Sequence, residues 1–486
     1  MSRGVIFALA LILFLAVSTL AEEKTKSDPT ESVRVKQAIR LAQEWTDAAL
    51  AYDRIPGASA GFVVDQKLIW SKGFGYADVE QKKLATPETI YGICSISKLF
   101  TAISVMQQRD AGKLRLDDPV SKFLPYVNLP PANKDATAPT VESLLTHSSG
   151  LPREGAQPYW TDPDFAFPTK EALIQGMKSE KMLYPPERYF QYSNLGFTLA
   201  GEVVEKTSGQ EYRQYVTEAI LKPLSLSHTT PFLPEDQRGK LLATGYGSMT
   251  REGTREKMPF YDARGIAPAA GFASNVIDLA SFTSWQFRLL DKGGTEVLNA
   301  NTLREMHRVH WVDPDWNTTW GLGFAIGHSD DETVVGHGGH CPGYFTTLRM
   351  DDRKKQAAIV LTNAMNVVPE KYTKQIFKII GPALEEAKKG EESKKTSTDF
   401  ERFAGVYQSA WGETIVVPWK EGLAAVDVPT DTPMDDLTEL KFIDQQTFRR
   451  VRKDSDDLGE EVVFELGPDG KVTKLLWHEN YSRKVR

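Results

Sequence analysis

A serine three residues ahead of a lysine is the sharpest chemical signal in this 486-residue chain, and Ser95-Ile96-Ser97-Lys98 is its only S-x-x-K. Ile96, Leu99, Phe100, Ile103 and Met106 recur at helical spacing, so a helix is predicted to open at Ser95 and to stop at Gly112. Positions i and i+3 share one face of a helix, so the hydroxyl and the amine can meet. Free N–H groups and the positive end of the dipole at a helix start lower the pKa of a nearby hydroxyl or ammonium. A lysine kept partly neutral can take the serine proton, which is the activation an ordinary hydroxyl needs. Two later motifs bear on the same chemistry. Tyr192-Ser193-Asn194 lies 97 residues downstream, in the loop before a predicted helix over Leu195–Glu205. His337-Gly338-Gly339 follows after another 145 residues, at the end of an apolar strand.

The elements that must position these residues follow from apolar periodicity and turn residues. Ser32–Leu50 reads as an amphipathic helix, and Ala58–Val64 with Lys67–Ser71 as a strand pair turning at Asp65-Gln66. Pro119–Gly271 is rich in Pro, Gly and Tyr and in short helical segments. Thr333–Val335, Tyr344–Met350 and Gln356–Thr362 read as neighbouring antiparallel strands, the last two joined at Asp351-Asp352-Arg353, with a helix near Lys371–Ala387. The order is strands, a long helical middle, strands again, then a helix. Residues 385–399 alternate Glu and Lys pairs without an apolar stripe, and read as a helix end running into a solvated linker. Residues 400–486 hold short alternating runs separated by turns such as Pro468-Asp469-Gly470, which predicts a small all-β domain.

The ordered set S-x-x-K, Y-x-N and a K-T-G-like strand motif resembles the serine β-lactamase and penicillin-binding-protein superfamily. It is most similar to the class C β-lactamase branch, with its esterases, D-aminopeptidases and D,D-peptidases. Leu144-Leu145-Thr146-His147-Ser148-Ser149-Gly150-Leu151 and Gly271-Phe272 leading to Asp278-Leu279-Ala280 resemble segments of the same branch. The likeness runs over about residues 35 to 385. It implies an α+β fold: an antiparallel sheet flanked by helices, an all-helical subdomain beside it, and the active site between them.

The resemblance also implies roles. Ser95 becomes acylated, Lys98 assists its deprotonation, and Tyr192 acts as base or relay, also for the deacylating water. Asn194 holds Lys98 and the substrate amide. The backbone N–H groups of Ser95 and His340 form the oxyanion hole, and Gly338 and Gly339 let the strand approach substrate closely. His337 stands where the branch more often has Lys. A permanent charge for a substrate carboxylate is thereby lost, which weakens a β-lactamase reading and leaves peptidase and esterase readings open. Cys94 precedes the nucleophile and Cys341 follows the oxyanion residue. If both amides converge on one oxyanion, a disulfide comes within reach, as at matching positions in carbapenem-hydrolysing class A β-lactamases. Two buried free thiols are the alternative. Phe403-Ala404-Gly405-Val406-Tyr407 resembles the opening strand of lipocalin-like domains fused to such hydrolases, so 400–486 is expected to be accessory.

Other signals carry less. Gly57-Ala58-Ser59-Ala60-Gly61 matches a nucleophile elbow, but Phe62-Val63-Val64 continues as strand where an elbow needs a helix. His328, His337, His340 and Cys341 cluster in sequence, yet a strand would point His337 and His340 to opposite sides, so no metal is expected. No cofactor is expected either. His147 reads as a loop residue bonded to backbone. Trp311, Trp316 and Trp320 fit either the core or an acyl pocket.

Composition is ordinary and globular: 41% apolar, 10% aromatic, 25% charged, with a net charge of −7 and no basic block, which argues against nucleic-acid binding. Two cysteines exclude a multi-disulfide scaffold. Arg3, the apolar run Val5–Val17 and Thr19-Leu20-Ala21 read as an export signal, 1–21, cleaved near Ala21, and too short for a stable membrane span. The expected layout is thus a signal, a catalytic domain over 22–384, a linker over 385–399 and a β domain over 400–486. The expected activity is that of a periplasmic or secreted serine hydrolase forming an acyl-enzyme with an ester, a D-amino-acid peptide or amide, or a β-lactam. A penicillin-recognising sensor that is acylated without turnover is the alternative. Oligomeric state is left open.

Overall fold

Ser32 starts the first long helix, Val33–Tyr52, by accepting from Val35 N at 3.2 Å through its side chain. The apolar stripe Leu41, Ala42, Trp45 and Ala49 is buried. The strand Gly57–Val64 then turns at Asp65, whose φ is 52°, into Lys67–Asp78, which runs seven residues beyond the predicted Ser71. The computed structural model describes residues 28–130, 136–155, 158–329, 332–390, 398–455 and 457–486. The expected signal peptide, 1–21, and residues 391–397 of the expected linker lie outside them.

Both strands belong to an antiparallel sheet of nine. Its order is Trp311–Val312, Thr319–Trp320, Ala325–Ser329, Glu332–Cys341, Tyr344–Asp351, Gln356–Thr362, Gly57–Val64, Lys67–Asp78 and Lys83–Leu84. Alternation along Gln356–Thr362 shows how the sheet is covered. Ala357, Ile359 and Leu361 face the helical region, while Ala358 and Val360 face Ile376 and Ile380 of the helix Pro369–Lys388. That helix pairs with Val33–Tyr52 on the back of the sheet.

The helical region holds Ser97–Asp110, Asn194–Ser208 and Val276–Lys292, with shorter helices between. Gly112, at φ 70°, lies just past the first of these, in the left-handed region that favours glycine. The α+β architecture expected from the sequence is present, with a second body after it. Strands from Gly405–Ser409 to Asn480–Lys484 form a closed eight-stranded barrel, sealed where Tyr407 pairs with Lys484 and Gln408 with Arg483. The barrel sits behind the sheet, against the terminal helix pair. Arg34 stacks 3.7 Å over the Trp419 ring, and Trp45 Nε1 donates to Thr430 O at 3.0 Å.

Candidate active site

A short strand, Tyr91–Cys94, leads into Ser95. It pairs with Phe272–Ser274 outside the main sheet and ends in a turn with Cys94 at φ 53°, a left-handed conformation costly for a residue with a Cβ. The turn is held by Ile96 N donating to Ile93 O at 3.1 Å and by Ser97 Oγ, which donates to Cys94 O and accepts from Phe272 N. Ser95 therefore lies in the turn, two residues before the helix Ser97–Asp110 begins. Its backbone N–H donates to no acceptor among the described residues. Cys94 is joined to Cys341 by a disulfide, with Cα atoms 5.6 Å apart.

Lys98 is wholly buried, and its Nζ is the hub of the site. It lies 3.2 Å from Ser95 Oγ, 2.7 Å from Asn194 Oδ1 and 2.8 Å from the Ala269 carbonyl. Burial holds its pKa well below the ordinary 10.5; Glu154 opposes that shift and Arg153 adds to it. An ammonium donates to all three oxygens. A neutral amine keeps two N–H groups, which suit the carbonyls of Asn194 and Ala269, and its lone pair then faces the Ser95 hydroxyl. Asn194 cannot turn its amide round, because Nδ2 donates to Glu154 Oε1 at 2.6 Å. Glu154 in turn accepts from Tyr159 Oη.

Tyr192 packs beside this hub, with Nζ of Lys98 4.8 Å from its ring centroid and the Arg153 guanidinium 4.9 Å away. Burial raises the phenol's pKa above the ordinary 10.0, and a hydrogen bond with Ser95 opposes the rise. His147 lies against the Tyr192 ring, centroids 4.2 Å apart. Its Nδ1 accepts from Ser193 N at 3.0 Å and its carbonyl from Gln191 N at 2.7 Å, so it shapes the loop carrying Tyr192 and Asn194. Burial keeps it neutral, pulling its pKa well below 6.5.

His337 comes from the strand Glu332–Cys341, buried, with its ring centroid 6.1 Å from Tyr192 and 5.4 Å from Trp320. Its Nδ1 contacts Gly338 O, while Nε2 is buried without a protein partner. Burial, then the charge of Lys98, push its pKa well below 6.5. His340 is exposed on the other side of the strand and stacks on Phe345 at 4.2 Å. Among the described residues no His, Cys, Asp and Glu group could hold a metal.

Gly339 is needed where two strands meet. A Cβ there would stand 2.2 Å from Ile93 O and 2.4 Å from Thr346 Oγ1. The missing side chain lets the His337 strand close on the strand that leads into Ser95. Ser59 is no nucleophile in this arrangement: its Oγ, wholly buried mid-strand, donates to Thr86 O at 2.7 Å and lies 2.9 Å from Tyr91 Oη. Of the three tryptophans, Trp320 lines the site, Trp316 is 79% exposed, and Trp311 is half-buried at the sheet edge. Glu154 and the Ala269 carbonyl were not found from sequence. Glu154 sits in an irregular loop with no periodic signal, and a backbone carbonyl has no sequence signature.

Residues 42–377 match the sequence profile of the Beta-lactamase family. Protein flp of Staphylococcus aureus (strain MW2) is 27% identical over 337 residues, covering 66% of this chain and 63% of that protein. Beta-lactamase-like protein 2 of Dictyostelium discoideum is 25% identical, covering 74% and 65%. The chain thus spans less than two thirds of the length of these relatives. Among solved structures, the octameric penicillin-binding protein homologue from Pyrococcus abyssi aligns with a TM-score of 0.63 at 25% identity, over 92% of this chain and 100% of that one. A D-stereospecific amidohydrolase from Streptomyces sp. aligns with a TM-score of 0.57 at 26% identity, over 69% and 97%. The profile covers most of the chain and the likeness in fold extends over the same region, so the chain belongs to the Beta-lactamase family, within the serine β-lactamase and penicillin-binding-protein superfamily.

Proposed function

We propose that this hydrolase-family protein is an exported serine hydrolase that works through a Ser95 acyl-enzyme on uncharged esters or D-amino-acid amides. The observation that carries the reading is the buried Lys98 amine between Ser95 Oγ, Asn194 Oδ1 and Ala269 O. Neutral Lys98 takes the Ser95 proton as Oγ bonds to the substrate carbonyl carbon. The carbonyl oxygen gathers negative charge beside the Ser95 and His340 amides, where losing one such donor costs about 10²–10³ in rate in well-studied hydrolases. Tyr192, held as a phenol by burial, relays a proton to the leaving oxygen or nitrogen as its bond to carbon breaks. Water then attacks the ester of Ser95, its proton passing through Tyr192 and Lys98, and Ser95 is regenerated.

Substrate class follows from His337. A neutral imidazole offers no charge to a carboxylate, so the site favours acyl groups without one. The similarity to a D-stereospecific amidohydrolase supports the amide arm. The barrel is read as an accessory domain, because it packs behind the sheet. Export rests on the N-terminal sequence, and a mature chain starting at Glu22 is the expected product.

The deciding experiment is burst kinetics with a p-nitrophenyl ester, a D-aminoacyl amide and a chromogenic β-lactam. Sustained turnover of the ester or amide supports the reading. One equivalent of product followed by silence on every substrate makes the protein a sensor. Efficient β-lactam turnover alone replaces the substrate class.

A further inference from the structure

Behind the strand that carries His337 lies a groove of about 940 Å³ that the catalytic chemistry does not use. It exists because the floor lacks side chains. Across three neighbouring strands, one row of the sheet reads Ala325, Gly336, Arg349, and the adjacent pair reads Gly327, Val334. The helix Pro369–Lys388 covers the strands Gln356–Thr362 and Tyr344–Asp351, while the sheet continues outward beyond it. The opposite wall is a second face of that helix: Glu370, Thr373, Lys374, Phe377 and Lys378, at helical spacing.

The lining has two characters. Ile326, Val334 and Phe377 are apolar. Against them stand the cations Arg349, Lys374 and Lys378, and Glu370 is the one carboxylate among the described lining residues. Arg349 has a side chain only 22% exposed, yet it makes no hydrogen bond among the described residues; its one ion pair is to Glu370, at 3.8 Å. A guanidinium normally fills several of its five donors when taken this far from water. Lys374 and Lys378 form no ion pair among the described residues. A partly buried arginine with open donors, two free lysines beside it and an aromatic–aliphatic wall is the chemistry that recognises an anionic head on an apolar chain.

We infer that this groove is a second binding site, separate from Ser95, for a single-chain anionic amphiphile of the fatty-acid class. The carboxylate takes the open donors of Arg349 and the field of Lys374 and Lys378. The alkyl chain lies over Phe377, Ile326 and Val334, where its removal from water favours binding. Small polar anions lack the second contribution, and neutral chains lack the first.

Calorimetric titration of the full-length protein with sodium dodecanoate, below its micelle concentration, tests this. One equivalent is expected to bind, at least about tenfold tighter than sodium acetate or octyl glucoside. The exposed pair Lys374→Glu/Lys378→Glu leaves the packing intact and weakens dodecanoate by about tenfold or more. Arg349→Gln does the same, with circular dichroism as the check on folding. Ser95→Ala binds dodecanoate as the wild type does. Three results overturn the inference: undiminished binding in the charge-reversed pair, equal affinity for octyl glucoside, or loss of binding in Ser95→Ala, which would place the ligand in the catalytic site.

Discussion

Lys98 can act as a base only in its neutral form, and its surroundings decide at what pH that form appears. Burial depresses its pKa below 10.5, whereas burial raises the Tyr192 phenol above 10.0. The signs set the profile. Below the lowered pKa the ammonium dominates and acylation is slow; above it the lone pair is free and the rate levels off. Tyr192 stays protonated across the same range. The ester kcat/KM is therefore expected to rise along one acid limb centred below pH 10.5, with no fall before pH 10.0. A limb centred at or above the ordinary lysine value contradicts this. Asn194 owes its orientation to Glu154. Glu154→Ala frees the amide to turn its NH₂ toward Lys98 and loses a hydrogen bond to a charged group, worth about 1.5–3 kcal/mol. A drop of about 10–100-fold in kcat/KM is expected, with KM little changed. An unchanged rate removes Glu154 from the machinery.

The two strands that meet at the site do so at Gly339 and through the disulfide. Gly339→Ala drives a methyl into Ile93 O, and such overpacking costs about 1–3 kcal/mol or more. Its effect is expected on the melting temperature and on kcat together, because Ile93 anchors the turn of Ser95. The bridge from Cys94 to Cys341 closes a loop with a sequence separation of 247, where the chain-entropy account gives on the order of 5 kcal/mol. Thiol titration of the unfolded, unreduced protein is expected to find close to no free thiol; two per chain contradicts the bridge. These contacts also explain what a sequence could reveal. Ser95 and Lys98 stood out as the only S-x-x-K at a predicted helix start, and Tyr192, Asn194 and His337 through the resemblance of the ordered motifs to the superfamily. The hairpin near Asp65 and the strands ending in Thr362 were visible from their apolar runs and turn residues. The four-residue strand Tyr91–Cys94 was not, since its length falls below any period and Cys94 leaves it in a left-handed turn. Nor was Thr438–Asp444 in the barrel, where only Leu440 is buried. The groove around Arg349 is a matter of small residues on two neighbouring strands, Ala325, Gly327 and Gly336, and only the register brings them together.

On the scale of the whole molecule, the barrel and the candidate site around Lys98 lie on opposite faces of one sheet. Trp419→Ala removes a buried ring from beneath Arg34, at a cost of about 3–5 kcal/mol. The unfolding midpoint is expected to fall while the acylation rate of the folded protein stays within about twofold of wild type. A large rate loss at full folding would give the barrel a part in the chemistry. Everything else rests on one covalent bond, from Ser95 Oγ to the acyl carbon. Intact-mass spectrometry of wild type and Ser95→Ala, quenched within the first turnover of a p-nitrophenyl ester, measures that bond. The account predicts one acyl mass per wild-type chain and none on Ser95→Ala. An equal adduct on Ser95→Ala, or turnover by that variant at the wild-type rate, would contradict it.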